Sequence, residues 1–318
     1  MSDLFPRIRE AHQALRPQVA VTPLSYSPLL SIETGCEVFL KCEHLQHTGS
    51  FKFRGASNVL RKLGNEARQH GVITASTGNH GQGVALAGKL AGVSVTVYAS
   101  SFASTTKLDA IRALGATVIT IDDSTLATEL EAARQAKVSG KPFISPYNNI
   151  DVIAGQGTVG VELCDQLNSF AAVFTSVGGG GLISGIGTAI HTLHPTARVV
   201  GCWPENATSM YASLRAGKII DVEEYPTISD GTAGGVEPGS VTFPICQNVI
   251  DETVLVSEEE IKSAMARLAQ TEHWMIEGAA GVALASMFKM APQYQGQRLV
   301  VVLCGRNILL DKFVQAVR

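Results

Sequence analysis

Short runs of apolar, β-branched residues recur along this chain, and longer amphipathic runs separate them. The strand-like runs are Glu37–Lys41, Val72–Ala75, Val93–Ala99, Thr117–Ile121, Ala172–Val177, Arg198–Cys202 and Leu299–Leu303. The helix-like runs between them include Gly81–Ala91, Thr105–Leu114, Leu126–Val138 and Val152–Leu167. A strand that is apolar at consecutive positions has no solvent face, so it belongs in a parallel sheet covered by helices on both sides. The alternation predicts an α/β protein with open, twisted, mostly parallel sheets flanked by helices. Ser257 followed by Glu258-Glu259-Glu260 opens a further helix, with Glu260 in the capping-box position.

The 318 residues exceed what one small core uses, so one or two domains are expected. The stretch Lys141–Asn149, rich in Pro and Asn, reads as one crossing between two α/β blocks. A second crossing near Leu63–Gly71 gives a large domain of residues 1–68 and 148–318 and a small domain of 69–147; that placement draws partly on the resemblance below. The net charge of −3 and 6% aromatic content argue against a nucleic-acid surface. Six cysteines form no Cys-x-x-Cys pair and accompany no His cluster, and most lie in apolar runs, so most read as free buried thiols. The N-terminus has no basic start followed by an apolar core, and no apolar stretch approaches membrane-spanning length. A cytoplasmic protein is the default expectation.

Four segments carry chemistry. Gly178–Gly181 lies between the run Ala172–Val177 and the helical run Leu182–Leu193. Such a junction offers bare N–H groups and a positive helix end to an anion, most often phosphate. No Gly-Lys-Ser/Thr follows, and Ser184 or Ile183 stands where a dinucleotide fingerprint needs its third glycine. Glu205 after the next strand keeps a nicotinamide enzyme as a distant alternative. In the second segment, His47–Ala56, Lys52 sits between Phe51 and Phe53 at a helix start, close to Arg54. Both the helix end and Arg54 are expected to lower its pKa and make its amine a better nucleophile. The third, Thr74–Gly81, sets Ser76, Thr77, Asn79 and His80 at a strand-to-helix turn suited to a carboxylate. The fourth, Cys304–Asn307, ends a parallel strand, where ligands bind in open α/β sheets.

In this order, these segments resemble the fold-type II enzymes of pyridoxal 5′-phosphate, the group of threonine/serine ammonia-lyases and serine racemase. The resemblance runs from Thr22-Pro23-Leu24 to Asn307 and includes Ala154-Gly155-Gln156-Gly157-Thr158. It implies a two-domain, tryptophan synthase β-like fold with the cofactor between the domains. It also implies roles. Lys52 would carry the cofactor as a Schiff base, Phe51 would pack on its ring, and Asn79 would bond its phenolic oxygen. Gly178, Gly179, Gly180 and Gly181 would cradle the phosphate, and Cys304 would face the pyridine nitrogen. Ser76, Thr77, Asn79 and His80 would surround the substrate carboxylate, with Lys52, Ser76 and Thr77 catalytic. Relatives of this kind are commonly dimers, so a homodimer is expected.

Three departures qualify the resemblance. Cys304 stands where Ser or Thr is usual, and a thiol is a weak donor, so the ring nitrogen should stay mostly unprotonated, which favours elimination over transamination. Thr77 stands where racemases carry the serine that serves the second face of the substrate. Trp203–Ser209 matches the racemase segment Glu-Pro-x-x-Ala-x-Asp, and Trp203 and Ser209 replace its two acids; no metal is expected there. The expected activity is β-elimination from an L-threonine or L-serine type substrate to a 2-oxo acid and ammonia. The alternatives are a racemase, a dehydratase of a bulkier substrate (phenylserine or hydroxyectoine-derived) suggested by the Gly-rich segment Ser229–Gly239, and a non-catalytic phosphometabolite binder.

Overall fold

The computed structural model describes residues 3–123 and 125–318, the side chains of 125 and 126 aside. Met1 and Ser2, part of the N-terminal stretch read for a leader, lie outside the described residues. The described strands are β1 (Leu24–Tyr26), β2 (Glu37–Lys41), β3 (Val72–Ala75), β4 (Val95–Ser100), β5 (Thr117–Ile121), β6 (Ala172–Ser176), β7 (Arg198–Pro204), β8 (Glu252–Val256) and β9 (Arg298–Val302). They form a six-stranded sheet, β1-β2-β9-β6-β7-β8, and a three-stranded sheet, β3-β4-β5. Every pairing is parallel except β1 with β2. The α/β class with mostly parallel sheets is therefore as expected.

Burial explains the strands that the sequence made obvious. Every residue of β6, and Leu299–Val302 of β9, is buried, which is why both read as unbroken apolar runs. At the margin, β5 has no buried residue: Thr117, Ile119 and Thr120 are exposed and Val118 and Ile121 half-buried, so it is not covered on both faces. The run Val93–Ala99 starts late: Gly92 adopts φ +66° and the Val93 N–H still closes the preceding helix on Gly88 O, so the strand begins at Val95. The helix opened by Ser257 carries both bonds of the capping box.

The helix Lys52–Arg61 lies between the two sheets. Its Phe53, Ala56, Val59 and Leu60 share one core with Val72, Val84, Val95 and Val97 of the three-stranded unit. It also packs on the helix Ile150–Gln166: the Gly55 N–H donates to Gln156 Oε1 at 3.1 Å, and a Cβ on Gly155 would fall 2.6 Å from Arg54 O. The three-stranded sheet lies wholly within residues 69–147.

Candidate active site

Three neighbouring parallel strands bring three of the sequence segments to one edge. The chain leaves β2 for Lys52, β6 for Gly178–Gly181 and β9 for Cys304, and the sheet order places β9 between β2 and β6. The carboxyl ends of such strands open onto the crevice where α/β sheets bind ligands. Contacts across that edge are direct. Phe51 N–H donates to Cys304 O at 3.1 Å, Ser50 bridges to Gly305, and Ser176 Oγ lies 3.6 Å from Cys304 Sγ. The fourth segment arrives from the other sheet. Ser76–Gly78 follows β3, and Asn79 begins the helix Asn79–Ala91.

Lys52 is the first residue of its helix. Its side chain reaches the cleft, where Nζ donates to Pro146 O at 2.9 Å and lies 5.2 Å from the Phe51 ring centre. Loss of hydration pulls its pKa down to about 8, against the opposing influence of Cys304, Glu129 and Glu277. Arg54 plays no part in that shift, which corrects the sequence expectation. Its guanidinium turns away into a buried cluster with Glu43 and Glu162. A basic neighbour two residues on along a helix faces elsewhere.

The glycine loop fits a phosphate by its own geometry. Among the described residues, no protein acceptor takes the N–H groups of Gly178, Gly179, Gly180 or Gly181. Gly180 adopts φ +85°, a left-handed conformation that strains other residues. A Cβ at Gly179 would lie 2.4 Å from Cγ of Tyr147. Unclaimed donors at the start of the helix Gly181–Leu193, with a lysine amine on the same sheet edge, match a phosphorylated carbonyl compound such as pyridoxal phosphate. Gly179→Ala is expected to force the ring aside at a cost of about 1–3 kcal/mol. Cofactor affinity should fall roughly tenfold or more with the fold intact. Titration of the visible absorption band checks this; unchanged affinity would remove the loop from the phosphate site.

The turn after β3 is half-buried. Gly78 N–H donates to Ser76 Oγ at 3.1 Å, and the first-turn N–H groups of the following helix point to the cleft end. His80 departs from expectation. Its ring is buried with Nε2 3.0 Å from Ile144 O, and burial, then Lys52, holds its pKa down at about 3. Its other ring nitrogen, Nδ1, is buried without a partner.

Sequence reasoning missed Glu277, Glu129 and Tyr147. Glu277 is buried, and burial pushes its carboxyl up to about 7. It precedes the helix Gly278–Met290, which is almost wholly buried and so gave no amphipathic signal. Glu129 lines a small cleft with Ser76, Thr77 and Tyr98. Burial, then Glu237, pushes its pKa to about 7.

In the segment Trp203–Ser209, an aromatic ring and a hydroxyl stand at the two positions where the racemase segment carries acids. Trp203 is buried against Tyr211 with ring centres 5.6 Å apart. Ser209 Oγ donates to Glu224 Oε1 at 2.5 Å, and Gly234 N–H donates to Glu224 Oε2 at 2.7 Å. Hard cations need several oxygen ligands, usually with carboxylates; here Glu224 is already satisfied by hydroxyl and amide, and among the described residues no group of three or more His, Cys, Asp or Glu that could hold a metal ion forms. EDTA is therefore expected to leave activity and Tm unchanged; a loss restored by Mg²⁺ or Ca²⁺ would overturn this.

Comparison with known proteins agrees with the geometry. Residues 15–305 match the family described as pyridoxal-phosphate dependent enzyme. An L-threonine ammonia-lyase of Thermotoga maritima is 41% identical over 311 residues, covering 96% of this chain and 77% of that protein. A catabolic L-threonine dehydratase of Staphylococcus aureus is 38% identical over 309 residues, covering 96% of this chain and 89% of that one. Among solved structures, processed threonine deaminase isoform 2 from Solanum lycopersicum superposes with TM-score 0.94 at 33% identity, covering 99% of this chain and 92% of that one. Serine racemase from Dictyostelium discoideum superposes with TM-score 0.88 at 35% identity, covering 96% and 98%. With a lysine and a glycine cradle on one sheet edge and a family match across most of its length, the chain belongs to the pyridoxal-phosphate dependent enzymes.

Proposed function

We propose that this enzyme is an ammonia-lyase that converts an L-threonine or L-serine type β-hydroxy-α-amino acid to a 2-oxo acid and ammonia by β-elimination. The observation that carries the reading is the enclosed Lys52 amine at the head of its helix, on the same sheet edge as the unclaimed N–H groups of Gly178–Gly181. Bound pyridoxal phosphate supplies the sink for the electrons left when the α-proton departs. In this reading Lys52 holds the cofactor and, once freed, moves that proton. Phe51 packs on the ring, Asn79 bonds the phenolic oxygen, and Cys304 faces the pyridine nitrogen. Ser76, Thr77 and the first-turn N–H groups of Asn79 and His80 receive the substrate carboxylate.

Thr77 decides between elimination and racemisation. Its β-branched side chain has restricted χ1 freedom, which hinders a hydroxyl that must give and take a proton on the second face. The test is chiral analysis during turnover of L-serine and L-threonine. The reading expects 2-oxo acid to accumulate well ahead of any D-enantiomer, and the reverse order would refute it.

Glu129 favours a second reading, a substrate larger than threonine. Its Oε1 is buried without a partner, and burial, then Glu237, raises its carboxyl pKa beside the cleft of Ser76 and Thr77. A cationic group on the substrate side chain would suit that carboxyl pair. A panel of β-hydroxy amino acids with neutral and cationic side chains, assayed for 2-oxo acid, separates the two readings.

We place the domain division at residues 1–68 and 148–318 against 69–147, which keeps β3-β4-β5 in one unit. We also propose a cytoplasmic homodimer acting on a free amino acid, from the resemblance to threonine/serine ammonia-lyases. Among the described residues, no helix is long and apolar enough to cross a membrane. Light scattering across a dilution series tests the assembly.

A further inference from the structure

We propose that Glu277 is a positioning residue for the cofactor: with Asn307 it locks the carboxamide of Asn79 so that one Nδ2 hydrogen stays aimed at the ring's phenolic oxygen. The proposal rests on the cofactor reading above and adds to it a residue that the sequence motifs do not contain.

The lock is built from three parts of the chain. Asn79 lies in the first turn of its helix, Glu277 immediately precedes the helix Gly278–Met290, and Asn307 follows β9. Asn79 Nδ2 donates to Glu277 Oε1 at 2.8 Å and Oε2 at 3.0 Å. Asn307 Nδ2 donates to Asn79 Oδ1 at 2.6 Å. Asn307 is itself fixed, because its N–H donates to Glu277 Oε2 at 3.1 Å and its Nδ2 donates to Thr48 O at 2.8 Å. Glu277 is 4% exposed, and its own N–H donates to Gly305 O at 3.1 Å. The packing is close: a Cβ on Gly305 would lie 2.3 Å from Glu277 Oε1.

The chemistry of these groups fixes the direction of the amide. A carboxamide nitrogen carries two hydrogens, and its oxygen only accepts. With Glu277 ionised, turning Asn79 over would set its oxygen against the carboxylate and its nitrogen against the Nδ2 donor of Asn307. Both contacts would then be repulsive, and the Asn307 clash stays when Glu277 is protonated, so one orientation satisfies the ring of bonds. In that orientation Nδ2 faces both Glu277 oxygens; one hydrogen shared between them leaves the other for an acceptor in the cleft. The phenolic oxygen of pyridoxal phosphate is such an acceptor. Without Glu277 only Asn307 still holds the amide, and when the amide turns over, an oxygen faces an oxygen.

A double-mutant cycle on the full chain tests this, read as the cofactor dissociation constant from the visible absorption band. Asn79→Ala alone is expected to weaken binding roughly tenfold, the scale of one lost hydrogen bond to a charged group. Glu277→Ala should weaken it by about as much and shift the band. In the Asn79→Ala background, Glu277→Ala should do nothing further, because a residue acting through Asn79 then has nothing to position. Losses that multiply to roughly a hundredfold in the double variant would overturn the proposal, since independent effects add in free energy. So would a Glu277→Ala effect on a chain that Asn79→Ala leaves unchanged. If Glu277→Ala does not fold, Glu277→Gln enters the same cycle with the same two criteria. The Lys52→Ala variant reports on the cofactor reading separately, so failure of the one is distinguishable from failure of the other.

Discussion

Lys52→Ala is expected to abolish the visible absorption band of the purified enzyme and to cut turnover by about 10²–10⁴-fold or more, the range attached to a single positioned proton-transfer group. The loss should be larger than for any other single change in the cleft, because in the proposed reading one amine serves both as the cofactor's attachment and as the base. The structure adds a pH dependence to this. Burial lowers the Lys52 pKa to about 8, so near that pH about half the amine is already neutral, whereas an exposed lysine would be almost wholly charged. Only the neutral amine attacks a carbonyl. Cofactor uptake by the stripped enzyme should therefore accelerate as pH rises from 6 to 9, with a midpoint near pH 8. Lys52→Arg keeps a cation but cannot make the covalent link, so it should bind weakly with no visible band. A band retained in either variant, or uptake that is flat with pH, would remove Lys52 from this role.

Much of this arrangement was legible in the sequence, for reasons tied to particular residues. The central strands β6 and β9 are buried on both faces and read as continuous apolar runs, so their existence needed no tertiary knowledge. The strands β1 and β8 did not stand out. β1 has only three residues, and β8 mixes buried and half-exposed positions at the sheet edge. Within the site, the glycine loop and Lys52 announced themselves through local composition. Glu277 did not, since it is one acid at the head of an apolar helix and gains meaning only when β9 brings Asn307 beside it. The placing of Arg54 failed for the same reason: sequence proximity to Lys52 suggested an electrostatic partner, but the helix carries the two side chains to opposite surroundings. Spacing along the chain shows which residues share a turn, and it leaves open which of them share a pocket.

Arg54 is where the largest stability effect is expected. Its guanidinium is 1% exposed and bonds four carboxylate oxygens: Glu43 Oε2 and Oε1 at 2.8 Å each, and Glu162 Oε1 and Oε2 at 2.6 and 2.8 Å. Lys41 completes the cluster, with Nζ 2.8 Å from Glu162 Oε2 and 2.8 Å from Thr22 O. Two cations and two carboxylates balance, so the cluster carries no net charge while intact. Arg54→Met leaves two buried carboxylates facing a single lysine. Breaking a buried pair by removing one partner costs about 3–5 kcal/mol, because the remaining charge has neither water nor a partner. The pH dependence should also change sign. In the native enzyme, burial raises the Glu162 pKa, but the bonds and charge of Arg54 and then Lys41 outweigh it and the net shift is downward. Stability from a lowered carboxyl pKa is present at neutral pH and is lost as pH falls through the folded-state value. Without Arg54, burial dominates and the folded-state pKa rises above the unfolded one. The folded variant then binds a proton that the unfolded chain releases, so it should regain stability as pH drops from 8 towards 5. Urea denaturation at pH 8, 7 and 5.5 reads both effects as the change in midpoint. A loss below about 1 kcal/mol at pH 8, the scale of an exposed ion pair, would mean that water reaches the cluster and that it does not anchor the Lys52 helix.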